Sequence, residues 1–402
     1  MNNRVFITGI GLLSGVGADF FSFSASMREG RSGIREISAF DADLLPARLG
    51  CEIPDFDTDS HFDRREAKRM DRCSQFAVVA ARQAMRMAGV DADTFKPARV
   101  GVSLGTTLGG MINATRYYER KARTSRQYVT MLHDYPLYSA GARIIGEYGF
   151  GGPNIAFSTA CSSSNVAIGY AADLIKHGRL DMVLTGGVDT MAKITVAGFN
   201  ALKNVSKEAI RPFDKNRSGV ILGEGAAIFC IESEASAMQR RAAPLAEILG
   251  YGMSTDAYHM TAPDATGRGP ALAMLRALAN AGIDADRIGY INAHGTGTRH
   301  NDETETRAIK KVFATSAETL PVSSTKSMHG HALGATGAIE AAAIVSAFHG
   351  KFVPPTINYE TKDPRCDLDY VPNAARDHVF DYALSNNFGF GGNNCALVMK
   401  RA

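Results

Sequence analysis

A cysteine in a run of small residues has the setting of a nucleophile. Cys161 stands in STACSSSNV, after an apolar run and before a helical pattern. A thiol in a turn between a strand and a helix faces outward, and the helix N-terminus favours its thiolate form. Backbone N–H groups in such a turn can also stabilise an oxyanion. These features suggest covalent chemistry at Cys161, and the alternative is a buried structural thiol.

Two histidines lie in comparable turns. His294 belongs to NAHGTGT, at the end of a predicted strand, and His331 belongs to SSTKSMHGHALG, after a strand and at a helix start. A lone histidine is usually a satisfied core residue, but two in glycine-rich turns, together with Cys161, favour a shared site. Lys326 lies five residues before His331, and Glu340 lies nine residues after it. If these two residues have no role in the site, they would form an ordinary ion pair on the surface.

Metal and phosphate sites fit the sequence less well. The HGH segment at 329–331 offers imidazoles, but no cysteine or carboxylate cluster completes a tetrahedral set, so we predict no metal. The glycine-rich NNFGFGGNN at 386–394 does not have the GxxxxGK pattern of a phosphate loop. The other cysteines have no paired spacing and fit a reducing compartment; they are Cys51, Cys73, Cys230, Cys366 and Cys395.

Strand and helix patterns that could position these residues alternate along the chain. The β-branched runs that end in glycine or polar residues predict strands at 4–11, 98–107, 181–189, 288–298 and 382–394. Apolar residues at three- and four-residue spacing predict helices at 66–88, 163–177, 270–281 and 334–348. This alternation favours an α/β fold with buried sheets.

One helix-and-turn pattern occurs twice. AARQAMRMAGVDAD at 80–93 resembles AMLRALANAGIDAD at 273–286, and each precedes a strand that ends in Gly-Thr. A repeat of this length predicts duplicated halves, which we place at residues 1–240 and 241–402. The first half carries Cys161 and the second carries both histidines, so the site should draw on both halves.

Composition excludes several classes of protein. The chain has 402 residues, 45% of them hydrophobic, and a net charge of +3, which is too mild to indicate nucleic-acid binding. The N-terminal apolar run is too short for a membrane span, and no stretch reaches about 18 apolar residues. We expect a protein of the cytoplasm, with no membrane span.

The ordered motifs resemble those of one enzyme family. The segments STACSSS, NAHGTGT, STKSMHGHALGATGAIE and NNFGFGGNN are similar, in order and spacing, to those of β-ketoacyl-acyl carrier protein synthases of the elongating Cys-His-His type. The resemblance covers nearly the whole chain. It implies a thiolase-like fold, with two duplicated βαβαβαββ halves in a five-layered α-β-α-β-α arrangement.

The resemblance also implies roles for the candidate residues. Cys161 would carry an acyl chain taken from an acyl carrier protein, and malonyl-carrier protein would then lose carbon dioxide and attack it. His294 and His331 would stabilise the enolate. Lys326 would keep the two imidazoles neutral, and Glu340 would balance the charge of Lys326. The product would be a 3-oxoacyl-carrier protein, made by an acyltransferase of fatty-acid or specialised lipid and polyketide synthesis.

Further positions match the family's substrate contacts. Phe390, with Phe388 and Gly389, matches the gate and oxyanion segment, where flanking glycines make a hinge sterically easy. The phosphopantetheine arm or malonyl group would contact Thr261, Thr296 and Thr298. Leu108 matches a residue that limits chain length in the acyl pocket, with simple core packing as the alternative.

Partners follow from the same resemblance. The docking patch for an acidic carrier protein would comprise Arg65, Lys68, Arg69 and Arg211, whose alternative is an ordinary solvated surface. The phosphopantetheine arm would come with the carrier, so no separate cofactor is expected. The chain would form a twofold dimer, either with itself or with a ketosynthase-like partner.

Two departures from the family pattern leave the pathway open. His329 replaces a common threonine, and the residues after Cys161 differ from the usual Thr-Ser-Gly run. Polyene, polyketide and signal-lipid synthesis are all pathways that fit these departures, and the sequence does not give the acyl length.

The alternative functions fit the sequence less well. A non-catalytic chain-length subunit of a heterodimeric synthase would usually lack the nucleophile. A thiolase would need a second cysteine as base, for which Cys395 is poorly placed, and a thioester hydrolase would lack the paired histidines.

Overall fold

The computed structural model describes residues 4–124 and 128–402. Within these residues the α-helices are α1 Phe20–Glu29, α2 Arg64–Ala67, α3 Arg72–Ala88, α4 Met111–Arg123, α5 Ser139–Tyr148, α6 Ser163–Lys176, α7 Lys193–Ala201, α8 Glu234–Gln239, α9 Arg268–Ala281, α10 Arg299–Phe313, α11 Lys326–His329 and α12 Thr336–Gly350. The strands are β1 Val5–Ser14, β2 Arg35–Glu36, β3 Leu49–Cys51, β4 Val100–Gly105, β5 Asn154–Phe157, β6 Met182–Asp189, β7 Leu222–Gly223, β8 Gly225–Ser233, β9 Ala246–Thr255, β10 Tyr290–Asn292, β11 Val322–Ser323, β12 Phe352–Val353, β13 Arg376–Asp377, β14 Tyr382–Gly389 and β15 Asn393–Arg401.

The main sheet consists of two five-stranded halves that meet at one edge. The strand order in the described residues is β11-β10-β14-β15-β9-β1-β8-β6-β4-β5. In each half, three parallel strands are followed by two antiparallel ones. The halves join through a short antiparallel pairing of β1 with β9, at Phe6 with Glu247 and Ile7 with Ala246.

Helices cover both half-sheets and fill the space between them. Helices α3 and α5 pack on the half-sheet that contains β1, and α9 and α10 form the layer beside β9. Helices α6 and α12 contact each other and strands of both half-sheets. Helix α12 is buried from Thr336 to Phe348, as expected for a helix enclosed on all sides. The fold is thus the duplicated, five-layered α/β arrangement predicted from the sequence.

The repeated sequence pattern corresponds to matching structural units. Helices α3 and α9 each end at a glycine in the left-handed region, Gly89 with φ 63° and Gly282 with φ 68°. Glycine tolerates this conformation without the steric penalty of a side chain. Each turn leads through a short 3₁₀ segment to the next parallel strand, β4 or β10.

Several element boundaries differ from the sequence-based prediction. The predicted helix at 66–88 is two helices, because Asp63 caps α2 and Asp71 caps α3. The strand predicted at 288–298 is regular only over β10, and glycine-rich backbone follows it. The strand predicted at 382–394 ends at Gly389, before a tight turn. Among the helices of residues 4–124 and 128–402, none combines the length and apolarity that crossing a bilayer requires.

Candidate active site

Cys161 lies in the turn between strand β5 and helix α6, as the sequence predicted. Ala160, immediately before it, has a φ of 53°, which is unusual for a residue with a side chain. The Ser163 hydroxyl holds this turn by donating to the carbonyl of Ala160 and accepting from the backbone N–H of Thr159, at 2.5 and 2.9 Å. The strained turn places the Cys161 side chain, only 7% exposed, at the bottom of a cavity.

His331 points one ring nitrogen at the cysteine sulfur. Its Nε2 lies 3.1 Å from the Cys161 Sγ. The backbone N–H of Leu333 donates to Nδ1 of His331 at 3.0 Å, so Nδ1 carries the lone pair of the neutral ring. The ring proton is therefore on Nε2 and faces the sulfur. His331 is arranged as a hydrogen-bond donor rather than as a base toward Cys161.

His294 approaches the same point from the other half of the chain. Its ring is 5.5 Å from that of His331, at an interplanar angle of 90°. The carboxylate of Glu305 on α10 accepts hydrogen bonds from the backbone N–H groups of His294 and Gly295, both at 2.8 Å. This pair of bonds fixes the turn after β10 and thereby the direction of the imidazole.

Lys326 and Glu340 form a fully buried ion pair beside the two imidazoles. Glu340 also accepts a hydrogen bond from the Asn387 side chain at 2.7 Å. Burial lowers the pKa of His294 and His331 well below its ordinary value, and the Lys326 cation lowers it further. Both imidazoles are therefore neutral at physiological pH, as predicted.

The thiol of Cys161 is less acidic than the sequence suggested. Burial raises its pKa to about 11, although Lys326 and the backbone N–H groups of Phe390 and Cys161 act in the opposite direction. The backbone N–H groups at the helix start do favour the thiolate, as expected from the sequence, but desolvation of a buried sulfur anion outweighs them. In the free protein the sulfur carries its proton.

Residues predicted to bind substrate line the cavity above Cys161. The cavity is about 90 Å³ in volume. Of the predicted residues it is lined by His294, His331, Thr261, Thr296, Thr298, Phe388, Gly389 and Phe390. The hydroxyls of Thr296 and Thr298 lie 2.9 Å apart. Leu108 is half-buried and packs against an apolar cluster that includes Met191 and Leu333.

The predicted gate is a glycine-rich turn between β14 and β15. Phe390 stacks on Phe199, with ring centroids 5.5 Å apart. Gly391 and Gly392 have φ values of 80° and 75°, which glycine adopts readily. A Cβ on Gly389 would lie 3.2 Å from the backbone nitrogen of Cys161, so this glycine lets the turn approach the nucleophile closely.

The predicted docking residues lie on the surface. Arg65, Lys68 and Arg69 are exposed, on and just after helix α2. Arg211 is more enclosed, and its guanidinium pairs with Glu360 at 2.7 Å. Their function as a docking patch stays a prediction.

Cys161 and the two histidines are also close enough together to be considered as metal ligands. Cys161, His294 and His331 place one potential ligand atom each within 4.8 Å of one another. A metal on Nε2 of His331 would need the ring proton on Nδ1, where the Leu333 N–H already points. His329 is buried and its Nε2 lies 3.0 Å from the Thr325 hydroxyl, so it belongs to a separate hydrogen bond.

Some contributing residues were not found from the sequence. Glu305, Asn387 and Phe199 contact site residues from other elements. Glu305 stands in the polar helix pattern NDETETRAI, which by itself indicates a solvated helix. Only the tertiary packing of α10 on the turn after β10 gives it a role.

Family models match most of the chain. The model described as the N-terminal domain of β-ketoacyl synthase matches residues 2–237, and that described as the C-terminal domain matches residues 245–360. A relative from Staphylococcus aureus, named 3-oxoacyl-[acyl-carrier-protein] synthase 2, is 42% identical over 100% of this chain and 99% of its own length.

Two of the matching solved structures are covered over their full length. The ishigamide ketosynthase/chain length factor has a TM-score of 0.94 and 35% identity, covering 100% of both chains. A type II polyketide synthase acyl-carrier protein in complex with its ketosynthase bound to the hexaketide gives a TM-score of 0.92 and 30% identity, again covering 100% of both chains.

Proposed function

The chain belongs to the β-ketoacyl synthase family, and we propose that it catalyses the decarboxylating Claisen condensation of an acyl thioester with malonyl-carrier protein. The observation that carries this proposal is the convergence of Cys161 and two neutral imidazoles at one cavity. The Sγ of Cys161 lies 3.1 Å from Nε2 of His331. This sulfur and one ring nitrogen from each of His294 and His331 all lie within 4.8 Å of one another.

The first step loads the acyl chain. The sulfur of Cys161 attacks the carbonyl carbon of acyl-carrier protein, the bond from that carbon to the phosphopantetheine sulfur breaks, and the Cys161 proton passes to the departing sulfur. The N–H groups of Cys161 and Phe390, which face the sulfur, stabilise the anionic oxygen that forms. A protonated thiol at rest protects the nucleophile until a thioester enters.

The second step generates the carbon nucleophile. Malonyl-carrier protein loses carbon dioxide, and the electron pair of the broken C–C bond forms an enolate on the thioester. His331 donates from Nε2 and His294 donates from its ring N–H to the enolate oxygen. Neutral donors suit this role, since Lys326 already places one cation beside them.

The third step joins the two carbon chains. The enolate carbon attacks the acyl carbonyl on Cys161, and the same two backbone N–H groups hold the oxyanion. The C–S bond then breaks and releases a 3-oxoacyl-carrier protein. The Cys161 sulfur takes up a proton, which restores the starting state.

Side chains that line the cavity would position the substrates. Thr261, Thr296 and Thr298 would bind the phosphopantetheine arm or the malonyl group. Leu108 would limit the acyl chain, and Phe390 would move when Cys161 is acylated. We propose that the carrier's own arm is the only prosthetic group that the reaction needs.

We further propose which partners bind the chain. Arg65, Lys68, Arg69 and Arg211 would steer an acidic carrier protein to the cavity, in line with the solved carrier–ketosynthase complex. The chain would form a twofold dimer, with itself or with a partner like that of the ishigamide ketosynthase/chain length factor. The division at residues 240 and 241 would separate the duplicated halves.

One experiment tests the reaction and reports the substrate. The protein is incubated with malonyl-carrier protein and a panel of acyl-carrier proteins, and the products are weighed by mass spectrometry. We expect 3-oxoacyl-carrier proteins two carbons longer than the preferred primers. If every primer is returned unchanged, both alone and with a ketosynthase-like partner added, the proposed reaction is wrong.

A further inference from the structure

A buried carboxylate joins the segment at residues 106–108 to the turn that follows His331. Asp189, at the end of β6, is fully buried and accepts four hydrogen bonds. Its Oδ1 accepts from the Thr106 hydroxyl at 2.8 Å and from the Leu108 N–H at 2.9 Å. Its Oδ2 accepts from the N–H groups of Thr107 and Gly334, at 2.8 and 2.7 Å. None of the roles described above uses this residue.

The two segments that Asp189 holds contain residues with different proposed functions. Leu108 lies in the first segment and is the residue proposed to limit acyl length. Gly334 lies in the second, directly after Leu333, whose N–H fixes the tautomer of His331. Leu333 has a φ of 51°, a conformation that a leucine keeps only when its surroundings hold it there.

The packing around this carboxylate leaves little freedom. A Cβ on Gly334 would lie 2.7 Å from the Asp189 Oδ2 and 2.7 Å from the Thr107 nitrogen. Leu108 and Leu333 pack in the same apolar cluster. A displacement of one segment should therefore be transmitted to the other through Asp189.

We propose that Asp189 is a positioning residue that couples the acyl-length segment at Leu108 to the His331 turn. The inference rests on the proposed function and adds a determinant of chain-length selectivity to it. The proposed role requires no contact between Asp189 and either thioester. It acts by holding the backbone of Leu108 and the Leu333–Gly334 turn at a fixed separation.

Two substitutions at this position should separate the two roles. In Asp189→Asn, the amide oxygen can remain on Thr107 and Gly334 while the amide nitrogen turns to the Thr106 hydroxyl, which can accept. The Leu108 N–H is then the one backbone donor that loses its acceptor, and the Thr106 hydroxyl, which donates to Asp189 in the wild type, has to turn its proton elsewhere. The opposite orientation would leave two backbone donors unpaired, those of Thr107 and Gly334. In Asp189→Ala, all four donors lose their acceptor.

The test compares both variants in two assays. Malonyl decarboxylation without primer reports the His331 turn, and condensation with short and long acyl-carrier proteins reports the Leu108 segment. We expect Asp189→Asn to change the long-to-short ratio of kcat/KM by about fivefold or more, with a much smaller loss of decarboxylation than Asp189→Ala. For Asp189→Ala we expect a fall of about tenfold or more in decarboxylation.

A matched control and a folding check make the outcome decisive. Glu232→Gln alters another buried carboxylate, bonded to Thr8 and Arg240 at the far end of the β6–β8 pairing, and should leave the ratio unchanged. The folded fraction of each variant is measured by thermal denaturation. The inference is overturned if Asp189→Asn keeps the wild-type ratio, or if both assays fall in proportion in both variants. Inactivity of the wild-type protein, both alone and with a ketosynthase-like partner added, would instead refute the proposed function.

Discussion

At the scale of residues, the donors around each side chain decide what chemistry it can do. The N–H of Leu333 leaves His331 with its proton on the nitrogen that faces Cys161. Burial keeps the thiol protonated and the imidazoles neutral, so the resting site carries one buried cation, Lys326, balanced by Glu340. Decarboxylation would move the charge of the malonyl carboxylate onto the thioester oxygen, and the neutral imidazoles are donors that could stabilise the enolate formed there.

Neutral histidines should add no pH dependence of their own to decarboxylation. The Cys161→Gln variant should decarboxylate malonyl-carrier protein at least as fast as wild type, as measured by release of carbon dioxide. Burial and Lys326 lower the pKa of both histidines, whereas burial raises the pKa of Glu305 and Glu340 to about 7. A change in rate between about pH 8 and about pH 6 should therefore follow these carboxylates, and the NMR signals of both imidazoles should show no titration over that range. An imidazole signal that titrates with a midpoint of about 6.5 would contradict the neutral donors.

Each imidazole should make a large contribution to the same step. Removing one oxyanion donor typically costs about 10²–10³-fold in rate. His294→Ala and His331→Ala should each lower decarboxylation by about that factor, measured on protein whose thermal unfolding matches wild type. A loss of less than about threefold in either variant would remove that histidine from the enolate site.

The raised pKa of Cys161 predicts slow and pH-dependent alkylation. Well below a pKa of about 11, the thiolate fraction rises about tenfold for each pH unit. The rate of iodoacetamide modification at Cys161, followed by peptide mass, should rise accordingly between about pH 7 and about pH 9. A rate that is already maximal at neutral pH would indicate a resting thiolate.

At the scale of elements, short caps and turns place the functional surface. Asp63 caps α2 and Asp71 caps α3, which interrupts one amphipathic pattern and exposes Arg65 and Lys68 at the break. Exposed cations of this kind affect the encounter with an acidic partner more than the stability of the fold.

Charge reversal at this break should affect carrier-bound substrates alone. Arg65→Glu combined with Lys68→Glu should raise KM for acyl-carrier protein, with kcat nearly unchanged, because electrostatic steering is lost. Reversal of the exposed Arg86 and Lys96, a matched pair elsewhere on the first half, should have little effect. Equal losses with a small thioester mimic in place of the carrier would argue against docking at α2.

The sequence predicted that Cys161, His294 and His331 share one site because each stands in a local pattern of small residues between regular elements. It also predicted the duplication, since α3 and α9 repeat the same turn. Asp189 and Glu305 could not be found in this way. Their functions depend on backbone donors from segments distant in the chain, and no local pattern records those contacts.

The net pKa shift of Cys161 could likewise not be predicted from the sequence. The sequence indicated a helix start, which favours a thiolate. It gave no measure of how deeply the turn would be buried, and burial determines the sign of the pKa shift. Boundaries failed where a side-chain cap or a glycine turn ended an otherwise continuous pattern, as at Asp71 and Gly389.

At the scale of the whole molecule, the site exists only where the two halves meet. Cys161 comes from the first half, and His294 and His331 come from the second. Helices α6 and α12 contact strands of both half-sheets, so the relative position of the halves is fixed through the core. One cavity thus combines a thiol from the first half of the chain with two imidazoles from the second.

The proposed twofold dimer predicts the mass of the protein in solution. Sedimentation velocity of the protein alone should give twice the mass of the chain if it pairs with itself. A monomer that becomes both dimeric and active only with a ketosynthase-like partner would identify the heterodimer. A monomer that is fully active alone would contradict the proposed dimer.

The most direct test is to locate the acyl group after incubation with acyl-carrier protein in the absence of malonyl-carrier protein. Digestion and mass spectrometry should place one acyl chain on the peptide that contains Cys161, and Cys161→Ser should neither retain a thioester nor condense. An acyl chain found at another residue, or full condensation by Cys161→Ser, would contradict the account.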